Sequence, residues 1–269
     1  MLNDFGKITI TETKDIKPKS NFHTHNYLCG HAQGTVSDYV AEAVKNGLAI
    51  IGISDHCAPF VGTQEPYLNE QTIKSNYLPQ FREAEKLYGD KIKILAGVEV
   101  DYFPNNDAYY KKLLGYLDYF VLGQHEYLLN GVRKCSFCDG VDEENIIAYC
   151  EQVKLGIKTK LFSIIAHPDL IFYNVSQPNE KMINAFNGVV AQAKLSDVPL
   201  ELNANGIRSH GFRYPTDLLI TLCKKHNAKV IISSDCHRPS ELCDENVLRL
   251  HAYARRYNLN VIENIAVHK

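Results

Sequence analysis

Short apolar runs and amphipathic segments alternate along this chain with a regularity that excludes most architectures. SDYVAEAVKN leads to LAIIGIS, NYLPQFREAEKLYG to KIKILAGVEV, YYKKLLGYL to DYFVLG, ENIIAYCEQVKLG to LFSIIA, INAFNGVVAQAKL to VPLELN, and TDLLITLCKK to AKVIISS, before a last helical segment, VLRLHAYARRYN. Strands apolar on both faces, separated by helix-period segments, belong to a parallel sheet covered on both sides. With an initial strand in NFHTH there are seven strand–helix pairs, close to a closed barrel and one pair short of the eightfold form. The pattern predicts a (β/α)7-type α/β barrel. An open doubly wound sheet is the alternative, but it gathers its ligand at one switch point. Here polar chemistry follows strand after strand: His23 and His25, His56, Glu99, His125, His167, Asn203, then Asp235 and His237.

A chain of 269 residues, 45% hydrophobic and 22% charged, is expected to form one domain over 1–269, with 1–20 as an N-terminal extension. The net charge of −2, without runs of like charge, argues against nucleic acid or a membrane surface as partner. No stretch approaches the roughly 20 apolar residues of a bilayer span and the N-terminus lacks an apolar leader core. A small-molecule partner and a cytoplasmic location follow as expectations. The eight cysteines are scattered, so reduced thiols are the default. Cys135 and Cys138 in KCSFCDG have metal-like spacing, but no further pair follows at finger-like distance. Loop thiols are expected there, ahead of a redox pair and of a zinc site.

Seven of the eleven histidines follow apolar runs or lie close to one: His23, His25, His31, His56, His125, His167 and His237. Neutral imidazole is the commonest metal ligand. His23 and His25 are two apart in an extended segment and so face the same side; Asp235 and His237 repeat that spacing. His31, in Cys29-Gly30-His31, is placed on a loop able to bend over the site. Glu99 lies in the apolar run ILAGVEV, where a carboxylate is costly to bury unless paired or metal-bound, and its two oxygens could bridge two cations. Asp55 is given no ligand role; it could orient a histidine or cap a helix. Asp101 is read as an ordinary strand-end charge. His226, His251 and His268 are expected to be structural or solvated, and His210 lies in a glycine-flanked loop. Together, the seven histidines with Glu99 and Asp235 suggest a polynuclear metal site.

The motifs HTHNYLCGHAQGTVSDYV, GISDHCAP, GVEVDY, GQHEY, IIAHPDL, ELNANGIR and SSDCHRP resemble, in order, those of the PHP (polymerase and histidinol phosphatase) superfamily, most closely its stand-alone histidinol-phosphate phosphatases. The resemblance spans about Asn21 to Pro239. It implies a distorted, TIM-like (β/α)7 barrel with three divalent ions (zinc, manganese or iron). The first would be held by His23, His25, Glu99 and Asp235, the second by Glu99, His125 and His167, the third by His31, His56 and His237. NGVRKCSFCDG, after His125, matches no family feature.

The implied reaction is hydrolysis of L-histidinol phosphate to L-histidinol and phosphate, in histidine biosynthesis. Asp235, Glu99 and His237 would be catalytic. Clustered ions would lower the pKa of a shared water and offset charge at phosphorus. Arg208, Arg238 and Arg213 are candidate phosphate binders, since guanidinium matches the phosphate geometry. Glu126, Asp101 and Glu201 are candidates for recognising the substrate's imidazole or amine. Another small phosphate ester, including a nucleotide, a sugar phosphate or phosphotyrosine, is the enzymatic alternative. A non-catalytic PHP module is a second, disfavoured by the complete ligand set. A metal-dependent amidohydrolase also begins with HxH, but the Glu99 and GQHEY segments resemble the phosphatases.

Overall fold

The computed structural model describes residues 4–60, 67–138 and 140–268. Eight parallel strands make one curled sheet: β1 (Ser20–Asn21), β2 (Ile50–Ile53), β3 (Lys93–Val100), β4 (Tyr119–Leu122), β7 (Ile164–Ile165), β8 (Leu200–Asn203), β9 (Lys229–Ser233) and β10 (Asn260–Val261), adjacent in that order. An antiparallel hairpin, β5 (Glu126–Leu129) and β6 (Val132–Cys135), is inserted after β4. The expected strand–helix pairs are present, and β10 adds a short strand after the last helix. The first strand is shorter than NFHTH suggested: only Ser20–Asn21 pair with β2.

The two ends of the sheet meet, which makes the fold a distorted TIM-like barrel. Near the C-terminal strand ends, Thr24 bridges Cys236 and His25 N–H donates to Cys236 O (3.0 Å). At the opposite end the segment after β10 takes over, with Ser20 Oγ donating to Glu263 O (2.7 Å). The N-terminal extension is packed rather than loose from Phe5 onward: Phe5 is buried against Tyr253, and the Arg249 guanidinium lies over its ring. No helix among the described residues is long and apolar enough to cross a membrane.

Local chemistry sets the helix boundaries. Thr35 and Asp38 form a reciprocal capping box at the start of Val36–Lys45. Asp142, Asn179, Thr216 and Asp244 cap Glu143–Lys158, Glu180–Leu195, Asp217–His226 and Glu245–Arg256. Inside the barrel, Phe22, Leu95, Tyr119, Val121, Ile164, Ala166 and Ile231 form a small core fed by strands from around the sheet. A larger core lies between sheet and helices, where each fully buried aliphatic or aromatic side chain contributes about 1.5–3 kcal/mol. Gly52 and Gly97 admit the Tyr119 ring, since a Cβ at either would collide with it. The Tyr119 hydroxyl donates to Phe22 O (2.7 Å), tying β4 to the segment that carries His23.

Candidate metal centre

Glu99 sits at the middle of the C-terminal barrel end, 1% exposed. Its Oε2 lies 2.9 Å from His56 Nδ1, 3.4 Å from His23 Nε2 and 3.6 Å from His25 Nε2. Its Oε1 faces a different pair, His167 Nε2 at 2.9 Å and His125 Nε2 at 3.6 Å. Asp235 Oδ1 is 3.1 Å from His25 Nε2 and 3.6 Å from His23 Nε2. His31, His56 and His237 offer a further group of nitrogens within 4.8 Å of one another. The fold thus brings all nine sequence-selected side chains together, from seven strand ends and loops.

The donor chemistry fits divalent cations. His23 Nε2, His25 Nε2, Glu99 Oε2 and Asp235 Oδ1 are buried without a hydrogen-bond partner, although buried polar atoms are almost always satisfied. Among the described residues the ion-pair partners of Glu99 and Asp235 are all imidazoles, with no lysine or arginine in range. Burial pushes the Glu99 carboxyl up, but the imidazoles of His23, His125 and His56 outweigh it and hold it well below the usual carboxylate range. Asp235 is likewise lowered, by His23 and His25 against its own burial. Burial drives His25 well down, helped by His56 and His237, and takes His125 down to about 3. His23, His56 and His167 are instead raised against their burial, His23 by Glu201, Asp235 and Glu99 and the other two by Glu99, so metal binding there would release protons.

A second layer orients this set. His23 Nδ1–H donates to Glu201 Oε1 (2.8 Å), while Glu201 Oε2 accepts from His167 N and Asn203 Nδ2. Asn203 also donates to Asp235 Oδ2 (3.0 Å). Glu201 is therefore tied into the centre. Asp101 departs from the sequence expectation of an ordinary strand-end charge: it is buried, its carboxyl pushed up to about 7 by burial, and its Oδ1 accepts from the backbone of His125 and Glu126. Asp55 holds the Asn26 N–H (2.7 Å) beside His25. His167 and Asp235 have φ of 26° and 43°, left-handed backbone that aims their side chains inward, a form of strain that collects at functional sites. A Cβ at Gly123 would strike Glu99 Oε1, so the glycine of GQHEY makes room for the central carboxylate.

A cavity of about 660 Å³ opens beside the cluster. Its wall includes Tyr67, Phe137, Tyr173, His210, Tyr214 and Arg238, with His210 stacked on Tyr214 at 5.7 Å. The aromatic members were not selected from sequence, because nothing local distinguishes them from core or loop aromatics. The three arginines separate. Arg238 borders the cavity, with Glu241 beside it. Arg208 donates to Asp244 Oδ2, Ser234 O and Glu241 O, which commits its guanidinium to the fold. Arg213 donates to Tyr173 O and lies over that ring. Glu126 pairs with Arg133. Contrary to the expected loop thiols, Cys135 and Cys138 form a disulfide, their Cα atoms 5.5 Å apart across the turn after β6; Asp139 of that stretch lies outside the described residues.

The PHP domain model matches residues 21–205. A probable histidinol-phosphatase of Deinococcus radiodurans is 24% identical over 229 residues, covering 82% of this chain and 86% of the relative. A probable phosphatase of Clostridium novyi is 28% identical over 222 residues, covering 80% and 77%. Among solved structures, the histidinol phosphate phosphatase of Lactococcus lactis, complexed with zinc, L-histidinol and phosphate, superposes with a TM-score of 0.70 at 15% identity, covering 93% of this chain and 99% of that one. The putative histidinol phosphatase of Listeria monocytogenes gives 0.69 at 20% identity, covering 83% and 97%. With its motifs in order, its barrel of the same form and its family model matched over most of its length, the chain belongs to the PHP domain family.

Proposed function

We propose that this protein is a metal-dependent phosphomonoesterase whose substrate is L-histidinol phosphate, cleaved by water to L-histidinol and phosphate. The observation that carries the reaction type is the central Glu99, whose two oxygens face different histidines and could bridge two cations. His23, His25, Glu99 and Asp235 would hold one ion, Glu99, His125 and His167 a second, and His31, His56 and His237 a third. Bound there, divalent ions would activate water and offset charge on the phosphoryl oxygens; zinc, manganese and iron all accept these donors.

The protein's own groups do the positioning. Asp235, its Oδ2 held by Asn203, turns Oδ1 inward to orient the attacking water. Neutral His25 and anionic Glu99 keep the local charge suited to cations. His237 and Arg238 border the cavity, where the guanidinium can donate to the ester phosphate. The stacked His210 and Tyr214 offer a flat wall to a planar leaving group. The substrate choice is supported by the names of the relatives and by the ligands of the Lactococcus protein; another small phosphate ester is the second reading, favoured by the Clostridium relative's broader name.

Phosphate release from L-histidinol phosphate and from a panel of monoesters, on stripped protein titrated separately with zinc, manganese and iron, tests this. A metal-dependent rate at least tenfold higher for histidinol phosphate is expected. Activity confined to other esters would replace the substrate and keep the chemistry, and no activity with any metal would remove both.

A further inference from the structure

The Cys135–Cys138 disulfide flanks Phe137 of the cavity wall and has no part in the hydrolysis. It closes a ring around Ser136 and Phe137 at the end of β6. Ser136 is buried and its N–H donates to His125 O (2.8 Å). Phe137 turns its ring edge-on to the His125 imidazole at 6.3 Å and lines the cavity. The partner strand β5 is anchored independently, with the N–H of Glu126, which lies opposite Cys135, on Asp101 and Leu128 N–H on Gln152 Oε1 (2.8 Å). Beyond the ladder pair of Cys135 with Glu126, the turn is tied among the described residues by Ser136 N–H on His125 O and Asn174 Nδ2 on Phe137 O (3.1 Å).

We propose that this disulfide is a redox control on the cavity: oxidised, it holds Phe137 as a wall beside His125, and reduction by a dithiol protein releases that wall. Cys138 is exposed and Cys135 half-buried, so an incoming thiolate reaches Cys138 Sγ. It forms a mixed disulfide there and Cys135 leaves as a thiolate that takes up a proton. The second thiol of the reductant then displaces Cys138, leaving two protein thiols and an oxidised reductant. Exposed disulfides are the exchangeable ones. The other six cysteines are free, five of them buried and Cys243 half-buried, and none of them is joined in a second disulfide.

The effect on turnover rests on the phosphatase reading above, whereas the release of the turn does not. The test treats the metal-loaded protein with reduced thioredoxin and reads three quantities: thiol content by mass, metal content, and hydrogen exchange over residues 125–138. Hydrolysis is followed in parallel. Reduction is expected to raise exchange across that segment and lower kcat/KM about five- to tenfold, chiefly through KM, with metal retained; reoxidation by diamide restores both. The double variant Cys135→Ser/Cys138→Ser should match the reduced protein and ignore thioredoxin. Faster exchange in a protein without hydrolytic activity would keep the released wall and overturn the phosphatase reading instead. Complete conversion to thiols with unchanged exchange over 125–138 overturns the proposal, as does failure of the pair to oxidise with diamide.

Discussion

Glu201 Oε1 accepts the Nδ1–H of His23 at 2.8 Å, and this single bond decides which nitrogen of His23 faces the other carboxylates. A carboxylate can only accept, so Nδ1 carries a proton and Nε2 is the nitrogen that faces Glu99 and Asp235. Glu201→Gln can donate to Nδ1 and invert the tautomer. Metal affinity is expected to fall about 10- to 100-fold, measured by competition with a chelator, while the melting temperature of metal-free protein changes little. Unchanged affinity would show that His23 is oriented by something else.

Gly123 and Glu99 cannot both keep their places if the glycine gains a Cβ. Gly123→Ala should cost about 1–3 kcal/mol in denaturant unfolding and lower metal occupancy. A variant with normal stability and full metal content would mean that Glu99 has more room than the structure gives it.

The arginines should respond differently to truncation. Arg238→Ala is expected to raise KM for a phosphate ester about tenfold at unchanged stability. Arg208→Ala should instead destabilise by about 2 kcal/mol, because it strands Asp244 in a largely buried pair. Equal KM effects for both would return Arg208 to the substrate site.

Metal removal should lower stability as well as abolish activity, since ions that bind only the folded chain stabilise it by about 4 kcal/mol at a thousand times Kd. Calorimetry with and without EDTA should show a large drop in melting temperature, reversed by adding back the ion. No change would mean that the cluster holds none.

His251 gives a pH test away from the centre. Burial in its helix takes the imidazole down to about 4, and its Nε2 has no hydrogen-bond partner. Between about pH 6.5 and 4 the unfolded chain therefore binds a proton that the folded chain does not, so stability falls as pH falls through that window. His251→Leu should flatten the stability profile there by on the order of 2 kcal/mol. Parallel profiles for the two proteins would rule out this histidine as the source.

The barrel and the gathering of nine donors were legible in the sequence for a local reason. Apolar runs bound their own strands, and a carboxylate or imidazole at the end of such a run is conspicuous because burying it is costly unless it is paired. The second layer was not legible: Glu201 in VPLELN and Asp101 in GVEVDY look like any strand carboxylate until the curled sheet sets one against His23 and the other against the His125 backbone. Whether an arginine meets a phosphate or a helix-capping aspartate, and whether His210 stacks on Tyr214, depends on how loops from different strand ends pack. The sequence by itself determined the repeating strand–helix order and the residue types at the strand ends, because periodicity and burial act over a few neighbouring residues. Only the tertiary structure decided the closure through Thr24 and Cys236 and the orientation of each imidazole, because those contacts join segments far apart along the chain.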